Sequence, residues 1–408
     1  MKQARNAAPA CRGACALRVG IDASCLLAGR GYGRFLGELL PALQKQAAGR
    51  ELLLFVDEST ARQVALPELP VVRIPTRRSQ AEGASARGHR SLRDALQLGR
   101  AVARSHLDAF YFPSVFSYFP VPGRVPVAVA IHDTIPERHA KIVFPTRQTR
   151  WLWKTKSRLA RWQARSVITV SEYARRSLVA ELGVPERRIY VTPEAPSESF
   201  RPVLNHSLAE AWLQARSIPC APFLLYVGGV NPHKNVIGML RSFARLGEAD
   251  GHPAAQLVLV GDHAGDRFHG NAAEVRREAL RLGIASRVHW VGFVPDAELR
   301  HLYGAATALV LPSLEEGFGL PAVEAAACGT PCVATRESPL PEVLEGGGLF
   351  FDPRDDDALL VAMETMLRKP MQRAQFADRA LRRAGKLSWE ISARETWRAL
   401  EATAKGSA

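Results

Sequence analysis

The stretch from Ala308 to Pro331 constrains the fold more than any other part of the chain. It opens with an apolar run, Ala308 to Pro312, that reads as a buried strand. Next come two glycines, Gly317 and Gly319, around Phe318. An alanine-rich run follows, with Pro321 suited to a first helical position and Gly329 suited to the position just past the end. The order is strand, glycine loop, helix, stop. The glycines let the backbone turn sharply and approach a ligand closely. The helix start leaves amide groups free at the positive end of a dipole, which suits a phosphate. Glu324 falls about one turn into that helix, where a carboxylate can accept two hydrogen bonds from a ribose diol. Glu316 stands in the loop before it, closer to a reacting group.

The same alternation runs along most of the chain. Leu17–Asp22 and Glu51–Val56 read as strands, separated by a helical pattern from Arg34 to Gln46 with apolar residues at Phe35, Leu39, Leu40 and Leu43. Strands resume at 109–112, 125–131 and 166–171, and a second series begins at 223–229, 256–261, 288–292 and 308–312. Strand–helix–strand alternation implies parallel sheets with right-handed crossovers. A chain of 408 residues is long enough for two such domains. Prolines 193, 196 and 202 place the linker near Thr192–Asn205. The expected organisation is a loose tail over 1–15, an α/β domain over 16–198, a second over 199–385, and a terminal helix over 386–408. The Arg-, Ser- and Gly-rich stretch 75–91 is expected to be a loop. Ligands bind at the carboxyl ends of such strands, so the site belongs in a cleft between the two doubly wound domains.

The Glu316 to Glu324 segment, with its Glu-Gly-Phe-Gly-Leu-Pro core, resembles the E-x7-E signature of glycosyltransferase family 4. The resemblance extends over nearly the whole chain. It implies the GT-B fold and a retaining transfer of a hexose from a nucleotide-diphosphate sugar. Tyr226 to Asn235 resembles the family's first loop of the second domain, and Lys234 then takes the place of the lysine that reaches the donor diphosphate. The donor-binding set this implies is Gly229, Lys234, Gly317, Phe318, Gly319, Leu320 and Glu324, with Glu316 and His132 as the catalytic pair. His132-Asp133 resembles the family's His-Asp loop, where the histidine contacts the donor sugar. Gly31, Gly33, Arg34 and Asp133 are assigned to the acceptor and phosphate side. Many members carry arginines where this chain has Gly229 and His233. That leaves one cation either absent or supplied by another residue, such as Arg30 or Arg34. Val170–Arg175 and Pro339–Val343 match recurring family strings and read as scaffold. Ser388-Trp389 and the run after it resemble the family's terminal helix, which returns to the first domain.

Competing classes explain less. Gly29-x-Gly31-x-Gly33 followed by Asp57 invites a dinucleotide reading, but Arg34 breaks the spacing and the turn does not follow the strand directly. An NAD(P)-dependent oxidoreductase would also leave Glu316 and Glu324 unexplained. Asp355 and Asp357 have the Asp-x-Asp spacing of metal-dependent transferases, yet they precede an apolar helical pattern and read as helix capping. The expectation is a metal-independent enzyme without a cofactor. The six cysteines are scattered and read as reduced thiols.

The charge of +14 is uneven. Residues 1–200 hold 31 Lys and Arg against 16 Asp and Glu, so all the excess lies in the first half. From Arg138 to Ser171 there is no acidic residue, and nine basic ones, ending at Arg165, alternate with Trp151, Trp153 and Trp162. On a helix this suits an anionic membrane surface. The bland alternative is a surface helix whose tryptophans pack inward. No nucleic-acid module is recognisable, so a basic nucleic-acid binder is disfavoured. With no signal sequence and no apolar run long enough to span, the expected location is the cytoplasm, on the inner face of the membrane. The expected acceptor is a glycan or lipid-linked glycan. The overall look resembles bacterial mannosyltransferases of surface-polysaccharide assembly, which favours GDP-mannose as donor.

Overall fold

The structure is a computed structural model and describes residues 17–27, 31–76, 92–203, 207–219, 222–246, 255–261 and 271–406. The expected tail, residues 77–91 of the expected loop, Gly29 and Arg30 lie outside these residues.

Two all-parallel sheets form the frame. The first joins β1 (Leu17–Asp22), β2 (Arg50–Asp57), β3 (Val71–Ile74), β4 (Ala109–Phe112), β5 (Val127–Ala130), β6 (Ala164–Thr169) and β7 (Ile189–Val191) in the order β3-β2-β1-β4-β5-β6-β7. The second joins β8 (Phe223–Val227), β9 (Gln256–Val260), β10 (Val288–Gly292), β11 (Ala308–Leu311), β12 (Cys332–Thr335) and β13 (Gly348–Phe351) in the order β10-β9-β8-β11-β12-β13. In each sheet the order reverses direction at the first strand of its series, which opens a crevice at the carboxyl ends. β4 and β11 are buried along their whole length, as expected for strands covered on both faces.

The helix Tyr32–Lys45 begins two residues earlier than the periodicity predicts. Gly31, at φ +52°, starts it, and Gly33 and Arg34 lie in its first turn rather than in a loop. Its buried face is Phe35, Leu36, Leu39, Leu40 and Leu43, one stripe at helical spacing. Asp57 is not placed to hold a ribose. Its carboxylate caps the helix Glu58–Gln63, accepting from the Thr60 amide at 3.0 Å and the Thr60 hydroxyl at 2.6 Å. Asp355 likewise caps Asp356–Arg368, accepting from the Ala358 amide at 2.8 Å.

The final helix, Trp389–Lys405, is capped by Ser388 and lies against the first sheet and the helix Tyr32–Lys45. Trp397 is 2% exposed and its indole N–H donates to the Leu43 carbonyl at 3.2 Å. Burying such a side chain is worth about 3 kcal/mol. Ser392 donates to the Pro193 carbonyl and Thr403 to Ser166 at 2.8 Å. The end of the chain is thereby tied to the first sheet. Among the described residues, no helix is long and apolar enough to cross a membrane.

Candidate active site

A cleft of about 570 Å³ lies between the two sheets. Gly31, Gly33, Arg34, His132 and Asp133 line it from the first; Gly229, Lys234, Glu316, Gly317, Phe318, Gly319, Leu320 and Glu324 line it from the second. All the residues singled out in the sequence as catalytic, donor-binding or acceptor-side therefore come together in one place.

The glycine loop follows from close approach. Gly319 has φ +87°, a conformation that strains any side chain, and a Cβ there would sit 2.9 Å from Leu340. A Cβ on Gly317 would meet the His132 carbonyl oxygen at 2.8 Å and the Asp133 Cβ at 3.0 Å. The two halves thus touch backbone to backbone at Gly317. Ser171, expected to be scaffold, reinforces this contact by donating to the Gly317 carbonyl at 3.0 Å while capping Glu172–Leu182. The helix that follows runs from Leu320 to Ala327, with Pro321 in its second position and Gly329, at φ +82°, just past the end.

Lys234 donates to Glu316 at 2.6 Å, and Ser313 donates to the same oxygen at 2.5 Å. Burial alone would raise the Glu316 carboxyl. Lys234 and Ser313 outweigh it and hold the group below its ordinary value, so it is charged at neutral pH. His233 is driven down to about 3 by burial and the adjacent Lys234, and is neutral. It cannot replace a missing arginine.

Arg34 is held by two carboxylates. Its guanidinium lies 3.0 Å from Glu324 and 2.8 Å from Asp296 and covers the Phe200 ring. Among the described cleft residues Lys234 is left as the cation beside the glycine loop. Glu324 is 2% exposed and accepts from the Tyr303 hydroxyl at 2.9 Å. Burial lifts its carboxyl to about 7 despite Arg34 and Tyr303.

His132 packs edge-on against Tyr32 and Phe35, and its Nε2 lies 2.8 Å from the Pro113 carbonyl. A carbonyl only accepts, so Nε2 carries the hydrogen. Nδ1 faces Glu194 at 3.5 Å. Burial and the neighbouring Glu315 push Asp133 upward, against the Ile135 amide that donates to it at 3.0 Å.

Sequence reasoning passed over Glu315. It is 2% exposed and reaches across to the first half, 3.0 Å from Arg138 and 3.2 Å from His139. Arg138 also approaches Glu337, at 3.9 Å. The available signal was the doubled glutamate, of which only the second was read. Tyr303 and Glu194 carried no local signal. Among the described residues, no three His, Cys, Asp or Glu side chains are grouped to hold a metal ion.

Comparison with known proteins bears on the family and the fold. The family Glycosyl transferases group 1 matches residues 214–383, and Glycosyltransferase Family 4 matches residues 29–195. The chain is similar to the O-antigen chain mannosyltransferase B of Escherichia coli, 32% identical over 286 residues, covering 68% of this chain and 71% of that one. It is 34% identical to a D-inositol 3-phosphate glycosyltransferase of Frankia alni over 214 residues, covering 52% of each. In fold it is similar to Anabaena HepE in complex with UDP and glucose, with a TM-score of 0.71 at 18% identity, covering 95% of this chain and 100% of that one.

Proposed function

The chain belongs to glycosyltransferase family 4, whose enzymes act on nucleotide sugars, and on that premise we propose that it transfers mannose from GDP-mannose, with retention, to a glycan or lipid-linked glycan. The observation that carries this reading is the meeting of Lys234, Glu316 and the start of the helix Leu320–Ala327 in one cleft. The similarity to a mannosyltransferase supports the choice of sugar.

The donor diphosphate lies against the free amides of the Gly317–Leu320 loop and the Lys234 ammonium. Positive charge placed there stabilises the diphosphate as it leaves. It also lets the transfer proceed without a metal or other cofactor. Glu324 accepts from the ribose, in place of Arg34. An acceptor hydroxyl attacks the anomeric carbon on the face the diphosphate vacates. The bond from that carbon to the phosphate oxygen breaks, and the acceptor proton passes to the departing phosphate. Glu316, charged and at the same wall, orients the sugar and stabilises positive charge at the anomeric carbon. His132 closes the cleft from the first domain. The lipid-linked acceptor places the enzyme on the inner face of the cytoplasmic membrane, held there by its basic half.

Titration calorimetry with GDP, GDP-mannose, UDP and UDP-glucose, each with and without EDTA, tests the donor. Guanosine ligands are expected to bind at least tenfold more tightly, unaffected by EDTA. Binding of uridine ligands alone overturns the donor, and loss in EDTA overturns metal independence. The anomeric configuration of the product, read by proton NMR, tests retention.

A further inference from the structure

Behind the cleft lies a second cavity, of about 440 Å³, that the reaction does not use. The short helix Ile135–Arg138 divides the two. His132, Asp133 and Ile135 line the donor cleft, while Pro136 and Glu137 line the second cavity. Its other wall is the helix Arg147–Gln163, which contributes Arg150, Lys154, Arg158 and Arg161. Arg150, Lys154 and Arg158 are spaced four apart, so they form one ridge along the helix, and all three are exposed. Arg161 is engaged instead, donating to the Leu182 carbonyl at 2.6 Å.

The acidic groups at this cavity are already occupied. Glu137 accepts from the Trp153 indole at 2.8 Å, and burial lifts it to about 7. Glu181 lies 3.8 Å from Arg138. Trp153 is 8% exposed and, with Ser157 and Ala160, fixes the inner face of the helix. The tryptophans therefore divide. Trp151 is 64% exposed, Leu159 43% and Trp162 81%. Trp151 and Trp162 are eleven positions apart, close to three full turns, so both point the same way. Aromatic rings and cations side by side on one outward face match the chemistry of a bilayer interface.

We propose that this cavity is a binding site for the phosphate of an anionic lipid headgroup: Arg150, Lys154 and Arg158 engage the phosphate, while Trp151, Leu159 and Trp162 enter the interface beside it. The site gives the peripheral-membrane reading a specific address, and it rests on that reading. It would hold the membrane directly behind the His132–Asp133 wall, where a lipid-linked acceptor arrives.

The test compares the full-length protein with two variants of equal net charge in flotation with vesicles of phosphatidylcholine, alone and mixed with phosphatidylglycerol. One variant is Arg150→Gln/Lys154→Gln/Arg158→Gln. The other, Arg277→Gln/Lys369→Gln/Lys386→Gln, removes three exposed charges from the second domain and the residue that follows it. Each basic residue at an anionic surface is about a fivefold factor, so the cavity variant is expected to bind on the order of 100-fold more weakly. The control is expected to stay within about threefold of the parent, because charges more than a Debye length from the surface are screened. Equal losses in both variants overturn the cavity and leave the membrane reading standing. Failure of the parent to bind mixed vesicles overturns both. Titration with inorganic phosphate, followed by tryptophan fluorescence, separates the sources: tight saturation by phosphate without vesicle binding overturns the lipid.

Discussion

Gly317→Ala is the sharpest probe of how the two domains meet. The added Cβ would stand 2.8 Å from the His132 carbonyl oxygen and 3.0 Å from the Asp133 Cβ. An ordinary carbon–oxygen contact is about 3.3 Å or more, so the His-Asp loop must retreat by roughly half an ångström. Both atoms belong to a strand end and a loop, and neither is the tip of a flexible side chain. The Ser171 hydrogen bond to Gly317 would stretch with them. Forcing in one methyl group costs about 1–3 kcal/mol of stability, seen as a lower Tm. The catalytic cost is larger in proportion: a misplacement of about 1 Å at the reacting centre costs on the order of 100-fold in rate, so half that distance lowers turnover on the order of tenfold. Nucleotide binding, which the proposed function assigns to the second domain, should change less than about threefold. The assay is steady-state transfer from the nucleotide sugar, paired with calorimetry of the nucleoside diphosphate. Turnover within twofold of the parent would refute the close approach. A parallel loss of nucleotide affinity would instead place the damage within the glycine loop.

Three further outcomes are expected. Glu316→Gln keeps the shape of the side chain and should lower kcat by more than about 100-fold with donor affinity little changed; equal activity removes Glu316 from the chemistry. Lys234→Ala leaves a buried carboxylate with Ser313 alone, and a double-mutant cycle with Glu316→Gln in thermal unfolding should show coupling of about 2 kcal/mol, whereas additivity would deny the ion pair. Glu324 has its carboxyl lifted to about 7, above the ordinary 4.5. The native state therefore holds this proton more tightly than the unfolded chain. Its contribution to stability is full below about 4.5 and is lost as pH rises through about 7. Glu324→Gln should flatten the fall in Tm across that window by the equivalent of about 3 kcal/mol, and an unchanged slope would reject the assignment.

Features set by neighbours along the chain were legible before any fold was known. The stripe Phe35, Leu39 and Leu43 located a helix because burial repeats at helical spacing, whereas the last helix was expected from its resemblance to the family's terminal helix, and the structure shows Ser388 capping it. Gly317, Gly319 and Gly329 were legible because only glycine tolerates those approaches and angles. The short strands β3, β7, β12 and β13 gave too few residues for a period to register. So did the first turn at Tyr32–Arg34, where a glycine loop was expected to continue. The tertiary structure decided which charges meet. Lys234 pairs with Glu316 across 82 positions, Arg138 with Glu315 across 177 and Arg34 with Asp296 across 262. No local pattern encodes these partners: the first pair needs two loops of the second sheet side by side, and the other two exist only once the two sheets face each other. For the same reason the helix Arg147–Gln163 could be read from its spacing as basic and aromatic, but only packing could send Trp153 inward and leave Trp151 and Trp162 facing out.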